Sequence, residues 1–185
     1  MLLAIKNWFI QDKTEAHDPL HEFKRSGENR YIEQAIDNFN PDLYHYLCTQ
    51  SDPETAEDIC QKTWLSIVEK RQYYQSNNTP KAYIFRIARN ALVDEFRRQN
   101  KFMCDDNETE LSSEVEDSNF NAACCEQLYR AIKRLPIAQK EAICLQLEGF
   151  SLNQIAEITT ANPETVKTRL RYAKQQLKET LGEPK

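Results

Sequence analysis

Gly149-Phe150-Ser151-Leu152-Asn153-Gln154-Ile155-Ala156-Glu157-Ile158, followed four residues later by Pro163-Glu164-Thr165-Val166-Lys167-Thr168-Arg169-Leu170, is the stretch that decides how this chain folds. Gly149 suits the left-handed residue that stops one helix, and Ser151 is a capping residue that opens the next. The spacing predicts a short helix over 152–160, a turn at Ala161-Asn162-Pro163 and a last helix over 164–181. Small Ala156 permits a close crossing of the two helices, with Ile155, Ile158, Val166 and Leu170 as their shared core. On the last helix Val166, Leu170, Ala173 and Leu177 form an apolar stripe, and Lys167, Arg171, Lys174 and Lys178 a parallel basic one. A capped helix, a tight turn and a second amphipathic helix make a helix-turn-helix. Thr168 and Arg169 lie near the start of the second helix, where such helices contact base edges. The competing reading is a solvated basic face on an ordinary helical hairpin, but the full capped pattern favours DNA binding.

Upstream, residues 122–134 read as a helix ended by Leu135-Pro136, and Pro136 begins another that runs through 148. Before these comes a stretch of different character. Between Lys101 and Phe120 lie Asp105, Asp106, Glu108, Glu110, Glu114, Glu116 and Asp117 against the single base Lys101, a net −6. Leu111 and Val115 are the only large apolar residues of 104–119. So little apolar surface cannot offset the entropy of ordering the chain, and a flexible linker is expected. The chain as a whole carries −5, so everything outside that stretch sums to +1, and the acidic balance does not argue against nucleic-acid binding. The expected organisation is therefore a helical domain over 1–103, an acidic linker over 104–121 and a helix-turn-helix domain over 122–185.

In the first block, 28–39 reads as a helix broken and restarted at Asn40-Pro41. Asp52-Pro53-Glu54 opens the next helix, with a capping Asp, a Pro suited to the first turn and an acid at the positive helix end. That helix runs to about Arg71 and a polar, aromatic loop follows over 72–79. Thr79-Pro80 then starts a long helix with Ile84, Ile87, Ala88, Ala91 and Leu92 at helical spacing. With only three glycines among 185 residues and a rich supply of helix formers, the class is all-α.

Composition also limits function. No stretch approaches the roughly 20 apolar residues needed to cross a bilayer, so membrane insertion is not expected. The apolar start, 1–10, holds Lys6 and Asn7 and lacks a basic leader or cleavage site; it reads as a helix cap or packing arm rather than an export signal. The expected compartment is then the cytoplasm. Six cysteines occur, Cys48, Cys60, Cys104, Cys124, Cys125 and Cys144, with no Cys-x-x-Cys pair and no histidine at ligand spacing, so neither metal nor other cofactor is expected. Cys60 and Cys144 fall among apolar helical positions and read as core residues, and redox sensing by Cys124 and Cys125 is the lesser of two readings for that pair. Three histidines, His17, His21 and His45, and no Gly-rich phosphate loop leave no acid-base, nucleophile or metal constellation, so no catalytic residue is assigned.

Two further segments carry chemistry. Ala56-Glu57-Asp58-Ile59-Cys60-Gln61-Lys62-Thr63-Trp64-Leu65 is an amphipathic helix, and on residues alone dipole complementarity at an acidic first turn accounts for Glu57 and Asp58. In Lys81-Ala82-Tyr83-Ile84-Phe85-Arg86-Ile87-Ala88-Arg89-Asn90-Ala91-Leu92-Val93-Asp94-Glu95-Phe96-Arg97-Arg98 the bases outnumber the acids. Just before it, Tyr73, Tyr74, Asn77 and Asn78 offer stacking surfaces and base-edge hydrogen-bonding groups in an exposed loop. Aromatics beside a basic helix suit single-stranded DNA, since unstacked bases offer faces and phosphates seek cations. Core tyrosines with a solvated helix remain an equal reading at this point.

These three segments, with Leu135-Pro136, Gln139-Lys140-Glu141 and Leu147-Glu148-Gly149 between them, occur in the order found in extracytoplasmic-function sigma factors of the sigma-70 family, which the chain resembles over about 22–100 and 122–180. The resemblance implies a factor that binds core RNA polymerase, recognises and melts promoter DNA, and is held in check by an anti-sigma partner. By that resemblance Glu57, Asp58, Gln61 and Lys62 lie on the surface gripping the polymerase clamp. Tyr73, Tyr74, Asn77, Asn78 and Lys81 belong to the loop that captures a flipped base of the minus-ten element, and Arg86, Arg89 and Asn90 to the helix beside melted DNA. Thr165, Lys167, Thr168, Arg169, Arg171 and Lys174 belong to the helix entering the minus-thirty-five major groove. The acidic linker would thread toward the RNA-exit channel. The chain departs from the family pattern at Asn162-Pro163-Glu164, where Glu164 adds an acid facing phosphate, and at Trp64, where Phe is more usual. The alternative is a stand-alone helix-turn-helix regulator, which leaves the aromatic loop and basic helix of the first block without a purpose.

Overall fold

The computed structural model describes residues 18–76, 79–103 and 120–181. The expectations for 1–10, for the linker residues 104–119 and for Asn77 and Asn78 lie outside the described residues, as do the side chains of Cys124 and Cys125. The described residues form eight α-helices and a single 3-10 turn, with no strand among them. They fall into two compact units, one of residues 18–103 and one of residues 120–181.

The first unit holds α1 (Pro19–Ser26), α2 (Asn29–Gln50), α3 (Pro53–Glu69), the 3-10 turn Arg71–Tyr73 and α4 (Pro80–Met103). Each helix packs on its successor, α1 on α2, α2 on α3 and α3 on α4, and α1 also touches the 3-10 turn. Leu43, Tyr46 and Leu47 of α2, Ile59 and Ile67 of α3, and Ile84 and Phe85 of α4 are buried together, with the Tyr46 and Phe85 rings 5.3 Å apart. Asp52 caps α3 as its sequence predicts, accepting from Thr55 N–H at 2.9 Å, with Pro53 in the first turn.

Three sequence expectations for this unit change. The break at Asn40-Pro41 is absent: α2 runs unbroken through Pro41. A proline inside a helix removes a hydrogen bond and crowds the preceding turn, at about 3 kcal/mol. Here Pro41 and Asp37, whose carbonyl loses its donor, both lie on the exposed side, while Ile32 and Ala35 before it and Leu43, Tyr46 and Leu47 after it are all buried. Apolar burial on both sides of the proline outweighs its local penalty. Second, α1 went unread, although Asp18-Pro19 with Glu22 in the first turn and Gly27 just past the end repeats the signature used to find α3. Third, Glu57 and Asp58 lie beyond the first turn of α3, where the acid is Glu54, so the helix dipole does not account for them.

The second unit holds α5 (Phe120–Lys133), α6 (Ile137–Leu147), α7 (Leu152–Thr159) and α8 (Pro163–Leu181). Helices α5, α6 and α7 all pack on α8, and the core is Ile132, Leu135, Ile143, Leu145, Phe150, Ile155, Ile158, Val166 and Leu170. Gly149 takes φ +89°, the left-handed conformation its sequence position required, with open space around it. The capping residue Ser151 and Gln154 form a reciprocal capping box, Ser151 N–H donating to Gln154 Oε1 at 2.9 Å and Gln154 N–H to Ser151 Oγ at 3.4 Å.

Candidate functional site

On α3 the buried stripe is Ala56, Ile59, Cys60, Thr63, Trp64 and Ile67. That leaves Glu57, Asp58, Gln61 and Lys62 exposed on the other side. Leu65 and Val68, 59% and 42% exposed, continue the same face, and sequence reasoning missed them. Their signal was available, since neither fits the periodicity of the buried stripe. Lys62 pairs with Asp58 and also lies 3.7 Å from Glu95 of α4, which accepts from Arg98 at 2.7 Å. The Arg98 guanidinium holds the Glu95 carboxyl below its ordinary range. A groove of about 480 Å³ runs between Ile36, Asn40 and Tyr44 of α2 and Glu57, Cys60, Gln61 and Trp64 of α3. Trp64 Nε1 donates to Asn40 Oδ1 at 2.8 Å across it, a hydrogen bond that Phe could not make.

The segment before α4 separates the two tyrosines read together from sequence. Tyr73 is 80% exposed, as a stacking surface requires, but Tyr74 is only 2% exposed. Its hydroxyl donates to Asp18 Oδ2 at 2.7 Å and its ring meets the Tyr83 ring edge-on at 4.8 Å. The correction follows from α1 and its cap: Asp18 and Lys24, which hold the Tyr74 hydroxyl and carbonyl, lie 56 and 50 residues away in the sequence. Burial, then the Asp18 hydrogen bond, pushes the Tyr74 hydroxyl far above the ordinary tyrosine range, so it remains a neutral donor.

On α4, Lys81 reaches back to Asp42 of α2 at 2.7 Å and lies over the Phe85 ring. Arg86 sits 5.9 Å from the Tyr83 ring centroid, Arg86 and Arg89 are half-buried, and Asn90 is exposed. Tyr83, Arg86, Asn90 and Arg97 follow helical spacing down one face.

The helix-turn-helix has an unusual corner. Thr160 ends α7 with φ 51°, and Ala161 N–H donates to the Ala156 carbonyl at 2.9 Å, closing the last turn. Sequence put the turn at 161–163, because a β-branched residue is a poor guess for a left-handed position. Asn162 Oδ1 accepts from Glu164 N–H at 2.9 Å, so Asn162 caps α8 and Pro163 fills its first position. Val166, Leu170 and Ala173 are buried, which leaves Thr165, Lys167, Thr168, Arg171 and Lys174 exposed. Arg169 is half-buried, at the edge of the apolar stripe and across the helix from Lys167. Lys167 lies 3.6 Å from Glu164, and the Arg171 guanidinium lies 5.0 Å over Tyr172, an exposed ring that the sequence reading left out.

Among the described residues no group of three or more side chains could hold a metal ion, and no helix is long and apolar enough to cross a membrane.

Two family models match the chain in order: Sigma-70 region 2 over residues 34–102, and Sigma-70, region 4, over residues 125–177. RNA polymerase sigma factor SigV of Bacillus subtilis is 30% identical over 153 residues, covering 80% of this chain and 89% of the relative. RNA polymerase sigma factor CarQ of Myxococcus xanthus is 29% identical over 133 residues, covering 69% and 75%. Among solved structures, the sigma factor RpoE in complex with the anti-sigma factor NepR, from Bartonella quintana, superposes with a TM-score of 0.73 at 25% identity, over 80% of this chain and 95% of that one. CnrH in complex with the cytosolic domain of CnrY gives a TM-score of 0.65 at 20% identity, over 89% and 96%, a likeness of fold.

Proposed function

The chain belongs to the extracytoplasmic-function group of sigma-70 RNA polymerase sigma factors, and we propose from that premise which of its surfaces meets which partner. The protein binds core RNA polymerase and directs promoter-specific initiation. In our reading the exposed face of α3, Glu57, Asp58, Gln61 and Lys62 with Leu65 and Val68, seats on polymerase. It pairs a charged rim with apolar side chains whose burial would be regained on docking. Tyr73 and the α4 face bearing Arg86, Arg89 and Asn90 meet the minus-ten strand, the ring by stacking and the cations by attraction to phosphate. Helix α8 enters the minus-thirty-five major groove, with Lys167, Arg171 and Lys174 toward phosphates and Thr165 and Thr168 toward base edges. The work is binding rather than bond-making, and its place is the cytoplasm, where polymerase and chromosome are. By analogy with the RpoE–NepR complex, an anti-sigma partner that competes for these faces completes the cycle.

The observation that carries this reading is the order of the two family matches in one chain. A stand-alone regulator needs only the second. The test is co-purification of core polymerase with the purified chain, then transcription from a randomised promoter library. Selective initiation is expected. Binding of DNA without polymerase would leave α3 unexplained and overturn the assignment.

A further inference from the structure

We propose that the adjacent tyrosines divide the labour of reading the minus-ten strand, Tyr74 acting with Asp18 and Lys24 as a clasp that fixes the segment 71–76 and thereby positions the exposed Tyr73. The inference rests on the sigma-factor reading and adds positioning residues to it.

The clasp has several independent parts. The Asp18 carboxylate does two jobs: Oδ1 caps α1 by accepting from the N–H groups of Leu20 and His21, each at 3.0 Å, and Oδ2 accepts from the Tyr74 hydroxyl at 2.7 Å and from Ser76 Oγ at 3.2 Å. From the same helix Lys24 Nζ donates to the Tyr74 carbonyl at 2.7 Å. At the front of the segment the Arg71 guanidinium lies over the Phe23 ring at 5.6 Å and passes under Gly27. A Cβ on Gly27 would meet Arg71 Nη1, and its φ of +74° also favours glycine. On the far side the Tyr74 ring packs edge-on against Tyr83 of α4, one turn before Arg86.

Geometry then sets the direction of Tyr73. Tyr73 is the last residue of the 3-10 turn, and Tyr74 follows it as the residue that ends the turn, with φ −61° and ψ 132° and its N–H bonded to the Arg71 carbonyl, so the place of one ring is tied to that of the other. With Tyr74 locked inward, Tyr73 is directed outward. A free segment would lose its conformational freedom when it captured a base; the clasp imposes that loss at folding instead, so base capture starts from an ordered loop. Phe in place of Tyr74 keeps the ring packing and removes the Asp18 bond, and Asn in place of Asp18 keeps a good helix cap while weakening the acceptor.

The experiment uses holoenzymes assembled from core polymerase and the full chain, as wild type, Tyr73→Ala, Tyr74→Phe, Asp18→Asn and the Tyr73→Ala/Tyr74→Phe double variant. Each is read by its discrimination among minus-ten sequences in a promoter library and by permanganate reactivity of the melted strand. Core binding and thermal melting of the free factor serve as controls. Tyr74→Phe and Asp18→Asn are expected to keep core binding and lose about tenfold in minus-ten discrimination, the loss expected when one well-placed hydrogen bond goes. The double variant should be no worse than Tyr73→Ala alone, because Tyr74 acts through Tyr73. Wild-type discrimination by Tyr74→Phe, or additive losses in the double variant, would overturn the clasp while leaving the sigma reading intact. A wild-type holoenzyme that selects no promoter would overturn both.

Discussion

Cys60 lines the α2–α3 groove yet is only 6% exposed, and burial, followed by the nearby Cys48 and Glu57, pushes its thiol up to about 11. At pH 8 only roughly one molecule in a thousand then carries the reactive thiolate. Brief alkylation of the native protein at pH 8 should leave Cys60 unmodified, and the unfolded chain should react there fully; mass spectrometry of the labelled peptide decides. The sign for stability follows. The folded thiol holds its proton more tightly than the unfolded one, so its contribution is complete below pH 9 and fades as pH rises toward 11. Its burial was legible in the sequence, because Cys60 repeats the spacing of Ile59, Thr63 and Ile67 on one helical stripe. The fate of Tyr74 was not, because it depends on Asp18, 56 residues away.

At the scale of elements, what could be read from sequence was what is decided locally. The Asp52 cap, the Ser151 cap and the Gly149 stop each depend on a few neighbouring residues and appear where expected. Pro41 misled because its cost is local while the burial that overrides it is tertiary. Helix α8 carries a testable consequence of its own sequence. Glu164 sits in its first turn, good for the helix dipole, but 3.6 Å from Lys167, so under the proposed reading it would compete with phosphate for that ammonium. Glu164→Gln should tighten binding of the full chain to minus-thirty-five duplex DNA at low salt. It should also steepen the dependence of log affinity on log salt, by up to about one unit, as one more cation becomes available to displace counterions. Both partners are exposed, so little stability is at stake and the melting temperature should hardly move. An unchanged salt slope would mean that Lys167 does not touch phosphate.

At the scale of the whole molecule, the two-unit plan was legible because a stretch as acidic and as poor in apolar residues as 104–119 separates two blocks that each carry a core's worth of them, and the described residues do form two all-helical units. In the proposed reading one surface holds polymerase while others are presented to DNA. That separation predicts that polymerase binding can be lost alone. Asp58 is half exposed on α3, and its partner Lys62 retains a second carboxylate, Glu95, at 3.7 Å. Breaking a surface pair of this kind costs at most about 1 kcal/mol, so Asp58→Lys should fold and melt close to wild type. It nevertheless puts a second positive charge beside Lys62 in the middle of the face assigned to polymerase, where like-charge juxtaposition disrupts docking far more than it disrupts the fold. Co-purification with core polymerase should be lost, while the affinity of the same variant for minus-thirty-five duplex DNA, read through α8 of the other unit, should stay at the wild-type value. If polymerase binding survives the charge reversal, α3 is not the docking face. If polymerase and duplex binding fall together, the two units are energetically coupled and the separation of roles fails.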